Sequence, residues 1–226
     1  MKGFFLLFLT NTIFISAQFA KAIDKDGFVN LRKNSSIKSS IIAKISSGKI
    51  VYIKNKDNDS DNWNYVEFYN EKGNFSGGFI HNSRLKLIEN FEAIPEIFSE
   101  NNIQTFGLKG IEIKIETAKF NKENEKYLSV KNARHFYKGK EFYTTVPPKT
   151  YYESISGKVN NQTFDVPKNE LEALFDINPE NTFCYLDEAE NTIYIISQNS
   201  DGSDAYDVLF VITNGKYIKK QVFGLD

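Results

Sequence analysis

Gly27-Phe28-Val29-Asn30-Leu31-Arg32, Gly48-Lys49-Ile50-Val51-Tyr52-Ile53, Trp63-Asn64-Tyr65-Val66 and Gly78-Phe79-Ile80-His81-Asn82-Ser83-Arg84-Leu85 punctuate the stretch from Gly27 to Leu87. Phe28 to Arg32 alternates apolar and polar side chains, the pattern of a half-buried strand. Ile41 to Ile45 runs into Ser46-Ser47-Gly48, a turn, and the β-branched and aromatic run Ile50 to Ile53 follows as the next strand. From Trp63 the chain sets Trp63, Tyr65 and Glu67 against Asn64, Val66 and Phe68, which puts aromatic rings on both faces of one strand. Gly73 and Gly77-Gly78 frame a turn before Phe79-Ile80. About five short strands in roughly 60 residues predict a small barrel.

The same pieces resemble the bacterial SH3-like (SH3b) module. Val29-Asn30-Leu31-Arg32 is similar to its opening strand, Gly48 to Val51 to its Gly-x-x-Val turn-strand, Trp63 and Val66 to its Trp-then-Val strand, and Gly78-Phe79-Ile80 to its closing Gly-aromatic-aliphatic step. Residues 24–90 are thus identified as an SH3-like domain. The resemblance implies a module that binds rather than catalyses, with cell-wall peptides as the ligand in exported members. Trp63, Tyr65 and Phe79 are the candidate ligand-facing residues, because aromatic faces stack on planar or apolar groups. The competing reading makes all three rings core. The acidic insert Asp57 to Asn62 departs from the family pattern. Its alternating Asp57, Asp59 and Asp61 imitate the start of a calcium loop, but Asn62 stands where glycine is required and Phe68 where glutamate is, so a solvated hairpin loop is expected.

Upstream, Lys2, the apolar run Phe4 to Ile15 and the small residues Ser16-Ala17 and Ala20-Lys21-Ala22 have the layout of an export signal. A leader of residues 1–22 is expected, with a cut after Ala17 as the alternative. The run is too short and interrupted for a comfortable membrane span, which needs about 20 apolar residues. The expected location is beyond the inner membrane, in the periplasm rather than outside the cell, with no membrane span after signal cleavage.

Downstream, residues 91–104 read as a linker around Pro95, and residues 105–226 as a β-rich domain. Ile111, Ile113 and Ile115 alternate with charged residues and should face a core. One helix is expected after Asp165-Val166-Pro167, with Leu171, Leu174 and Phe175 on its apolar face. Thr182 to Leu186 should pair with Thr192 to Ser197, and Tyr206 to Thr213 with Lys216 to Phe223 across Asn214-Gly215, a strong hairpin signal. Pro147-Pro148-Lys149-Thr150 and Asn199-Ser200-Asp201-Gly202 before Tyr206 are similar to a bacterial domain of unknown function, a resemblance that implies no activity. The predicted fold class is mainly β: an N-terminal SH3-like barrel followed by an antiparallel sheet domain with one short helix.

Charges nearly cancel, with 28 Lys+Arg against 29 Asp+Glu, so no electrostatic footprint for nucleic acid exists. One cysteine and two histidines leave no disulfide and no Cys/His metal cluster to build. Cys184 sits in a predicted strand interior, His135 in a basic turn, and no Gly-x-Ser-x-Gly elbow occurs. No catalytic residue and no cofactor are therefore expected. The expected function is non-enzymatic binding of a cell-wall peptide or an envelope protein. The alternative is a periplasmic inhibitor or immunity-type protein, in which the acidic loop Asp201, Gly202, Ser203 and Asp204 plugs a target. The bland reading of that loop is a turn using Asp and Gly for special backbone angles.

Overall fold

The computed structural model describes residues 19–55, 62–70, 73–144 and 146–224. Most of the expected leader and most of the acidic insert, residues 56–61, lie outside that set. The chain is mainly β, in antiparallel sheets, one of them a curled half-barrel.

The half-barrel holds β1 (Phe19–Ala22), β2 (Phe28–Arg32), β3 (Ile41–Ser46), β4 (Ile50–Asn55), β5 (Trp63–Tyr69), β6 (Phe75–His81) and β7 (Leu85–Leu87), in the order β3-β2-β6-β5-β4-β1-β7. Period-two alternation supplies its inner face: Val29, Leu31, Ile45, Val51, Val66 and Ile80 are each at most 5% exposed. β1 was not anticipated. It lies between β4 and β7, with Ala20 opposite Val51 and Leu87, and its side chains are buried. A leader ending at Ala22 would carry this strand away; the folded body includes Phe19–Ala22, which a cut after Ala17 leaves whole.

Beyond η-type turns at Asn82–Arg84 and Ile88–Asn90 come β8 (Glu92–Ile94) and β9 (Glu96–Glu100). The expected linker is therefore structured. β8 pairs with one sheet and β9 with another, and the Pro95 carbonyl between them accepts from the Gly107 N–H at 3.0 Å. Pro95 is a corner where the chain changes sheets, and a proline that donates nothing suits that place.

Next come β10 (Ile103–Leu108), β11 (Ile111–Lys119), β12 (Leu128–Lys131), β13 (Arg134–Tyr137), β14 (Lys140–Phe142), β15 (Thr150–Val159) and β16 (Gln162–Asp165). The chain ends with β17 (Thr182–Asp187), β18 (Thr192–Asn199), β19 (Tyr206–Thr213) and β20 (Lys216–Gly224). Two five-stranded sheets, β16-β15-β11-β10-β9 and β20-β19-β18-β17-β8, share a core that includes Ile113, Ile115, Ile155, Ile195, Val208 and Phe210. A three-stranded sheet, β12-β13-β14, stands beside them. The expected hairpin forms as read, with Asn214 and Gly215 both at positive φ, 51° and 65°. The expected helix shrinks to one turn, α1 (Lys168–Leu171), because Ala173 turns to φ 64° and ends it. Leu171, Leu174 and Phe175 are buried even so.

The two halves share a seam. Phe19, Ile50 and Tyr52 of the curled sheet pack with Tyr194, Ile196, Leu209, Val211 and Phe223 of the second. Tyr52 and Phe223 stack at 4.6 Å between ring centroids, and Phe19 meets both edge-on. Polar ties cross it as well: Lys21 Nζ donates to Asp187 Oδ2 at 2.9 Å and pairs with Glu190 at 2.5 Å, and Tyr52 Oη donates to Asp207 Oδ2 at 2.7 Å.

Candidate functional site

β5 and β6 form an antiparallel hairpin whose register pairs Trp63 with His81, Tyr65 with Phe79, Glu67 with Gly77, and Tyr69 with Phe75. Asn64, Val66 and Phe68 alternate with these and point the other way, and Val66 and Phe68 belong to the half-barrel core. The rings at 63, 65 and 79 are thus on the outer face, half-buried, and are not the core. They form a ladder of edge-on pairs: Trp63–His81 at 5.2 Å, Tyr65–Phe79 at 5.3 Å and Tyr69–Phe75 at 5.7 Å. The first two rungs stand about 7 Å apart along the strand, and the third, beyond the Glu67–Gly77 pair, about 14 Å further on, where Tyr69 also packs on Phe223 with ring centroids 5.5 Å apart. Each such pair contributes about 0.5–1.5 kcal/mol beyond its area burial.

Gly77 is required by this arrangement. A Cβ there would fall 2.4 Å from the Tyr65 hydroxyl, so the Tyr65 ring lies across the strand only because residue 77 has no side chain. Gly78 has a different duty: a Cβ would sit 2.8 Å from the Arg32 carbonyl, where β6 passes close to β2.

At its Trp63–His81 end the ladder opens into a cleft of about 410 Å³, bordered by Phe28, Asn30, Arg32 and Arg84. The cations are already engaged: Arg84 pairs with Asp24 at 3.2 Å, and Arg32 Nη1 donates to the Ser39 carbonyl at 2.7 Å. Asn30 Oδ1 is buried without a hydrogen-bond partner. His81 is held by its own turn. Its Nδ1 accepts from the Ser83 N–H at 3.2 Å and meets Ser83 Oγ at 2.8 Å, capping the 3₁₀ turn Asn82–Arg84. A ring fixed in this way is a wall of the cleft.

On the same face of β5, Glu67 is buried, its nearest cation being Lys54 at 3.8 Å. Burial pushes its carboxyl up, against the pull of Lys54.

The acidic loop is far simpler. Asp201, Gly202 and Ser203 are exposed, and Gly202–Asp204 forms a 3₁₀ turn closed by Asp204 N–H to the Asp201 carbonyl at 3.2 Å. Its base is fixed by Asn178, whose Nδ2 donates to the Ser200 carbonyl at 2.8 Å. The structure brings Trp63, Tyr65 and Phe79 together and places Asp201 to Asp204 on a separate loop. Cys184 lies 2% exposed in the core between the two five-stranded sheets, where burial pushes its thiol well above the usual range. A thiol held there is a packing group. His135 donates or accepts at Nδ1 to no carboxylate; its contact is the Thr144 carbonyl at 3.2 Å, to which the ring N–H donates. Among the described residues no three His, Cys, Asp or Glu side chains gather as a metal site.

Sequence reading missed the wall role of His81 and the Tyr69–Phe75 rung. The alternation of Trp63 and Tyr65 is visible in the sequence, but their partners follow only from the hairpin register. No family model, no curated protein and no solved structure matches this chain.

Proposed function

We propose that the protein is an exported binding protein of the bacterial cell envelope, whose SH3-like half-barrel holds a cell-wall or protein peptide along the β5–β6 ladder. The observation that carries this reading is the ladder itself. Three edge-on ring pairs lie on the face turned away from the half-barrel core, the Tyr69 pair against Phe223 and the Trp63 pair at the mouth of a cleft. The Trp63 and Tyr65 rungs, about 7 Å apart, match alternate residues of an extended peptide laid beside the hairpin. Trp63 and His81 would flank the peptide residue at the mouth of the cleft. The reading assigns no catalytic residue.

The test is co-sedimentation of the chain from residue 18 with purified cell-wall sacculi. The chain is expected to pellet, and Trp63→Gln and Phe79→Gln are expected to stay in the supernatant while retaining a cooperative melt. Equal pelleting of both variants would remove the ladder from the binding surface. Failure of the parent chain to pellet would direct the search to a protein peptide.

A further inference from the structure

The largest pocket described does not belong to the ladder. It lies at the seam, where the turn between β3 and β4 and the end of β5 stand over β20, and its volume is about 690 Å³. Ile45 and Phe68, 2% and 6% exposed, border it as its apolar side. Lys49 comes from the turn, Lys219 from β20, and Asn70 and Asn74 stand at its edge. Lys44 also borders it, but its ammonium rests 4.0 Å above the Phe28 ring. No carboxylate occurs among the described lining residues.

The ammonium pair is unusual within this molecule. Lys21, almost fully buried, pairs with Asp187 and Glu190; Lys220 reaches Glu170 at 3.7 Å; Lys54 reaches Glu67 at 3.8 Å. Lys219 is half-buried like Lys220, yet no described carboxylate lies within ion-pair distance of it or of Lys49. Instead the two lysines border the same pocket, and burial first, then the charge of Lys49, push the Lys219 ammonium below its ordinary range. Withdrawing a cation from water and setting a second beside it is unfavourable unless an anion completes the group. Neither lysine belongs to the β5–β6 ladder, so this pocket is separate from whatever that ladder binds.

We propose that the seam pocket binds a small organic anion, its charged group between Lys49 and Lys219 and a short apolar group against Ile45 and Phe68. The ligand would then touch both halves, since Lys219 belongs to the second sheet and the other groups to the half-barrel.

The test is calorimetric titration of the chain from residue 18 with four probes: hexanoate, hexyl phosphate, inorganic phosphate and 1-hexanol. Saturable binding of hexanoate or hexyl phosphate is expected, and the tighter of the two assigns the charged group as carboxylate or phosphate. Lys219→Met, which keeps the apolar stem, and Lys49→Gln, on the half-exposed turn, should each weaken binding by about tenfold or more. The parallel use of two variants keeps the test valid if one of them misfolds. Absence of saturation by about 10 mM, unchanged affinity in both variants, or equal affinity for 1-hexanol or phosphate alone would overturn the proposal.

Discussion

The hairpin β5–β6 and the strand pair β18–β19 are built from similar residues and do opposite work. In β18 and β19 the runs Ile193 to Ile196 and Val208 to Ile212 are at most 5% exposed. Both faces of that pair are covered, one by the sheet containing β11 and β15, the other by Phe19, Ile50 and Tyr52 of the half-barrel. In β5 and β6 one face is core and the other carries rings that remain half-buried or, at Phe75, 53% exposed. The difference teaches how many faces a strand has covered: continuous apolar sequence for two, alternation for one. Toward Tyr69 that outer face is closed by Phe223, with ring centroids 5.5 Å apart, and Glu67 on it is buried; Trp63, Tyr65 and Phe79 are the rings left half-buried toward its open end, and they make the ladder a candidate for binding.

If the doubly covered pair depends on the seam, removing β1 should have the largest effect. A chain beginning at Ile23 loses Phe19 from the seam and the Lys21–Asp187 tie, and it is expected to show no cooperative thermal transition. The chain from residue 18 should melt cooperatively in the same circular-dichroism experiment. Phe223→Ala removes a ring that stacks on Tyr52 and should cost about 3–5 kcal/mol in urea unfolding. Equivalent truncation of Phe75, which is 53% exposed, should cost well under half of that.

Asp207 sharpens the comparison through pH. It is fully buried at the seam, and burial raises its carboxyl to about 6, although Tyr52 and Gln198 donate to it. The folded chain therefore holds that proton more tightly than the unfolded chain, whose ordinary value is 3.8. The resulting stabilisation is complete below about pH 4 and is lost as pH rises through about 6, an amplitude of order 3 kcal/mol. Asp207→Asn should remove this component from the slope of unfolding free energy between pH 4 and 8. The smallest effect is expected at the exposed loop. Asp201→Ala should change stability by no more than about 0.5 kcal/mol, measured by the same unfolding curves.

The alternation that identified the half-barrel strands, and the Asn214-Gly215 turn, were legible because they depend on neighbours in sequence. The apolar runs Ile193 to Ile196 and Val208 to Ile212 carried a further message, a second covered face, that reading them as a hairpin pair passed over. Pro95 was read as a linker signal because a proline marks a corner and a linker alike; only pairing on both sides distinguishes them. Phe19 to Ala22 was hidden by a genuine ambiguity. Small residues flanking a lysine suit a cleavage site, and they equally suit a strand packed tightly between two others. The ladder is half visible in the sequence: ring chemistry points to Trp63, Tyr65 and Phe79, while the His81 partner and the Tyr69–Phe75 rung follow only from the hairpin register.

The rings of Phe19 and Phe223 meet edge-on at 5.9 Å. The first described strand and the last are thus clasped in one cluster, across nearly the whole length of the sequence. A chain emerging during synthesis cannot close that clasp until β20 has been made, and until then Tyr52 and Leu209 lack part of their cover. Contacts this distant in sequence make for slow closure. A nascent or truncated chain would present a greasy, unfinished seam, the kind of surface that holding chaperones recognise and that proteases reach first.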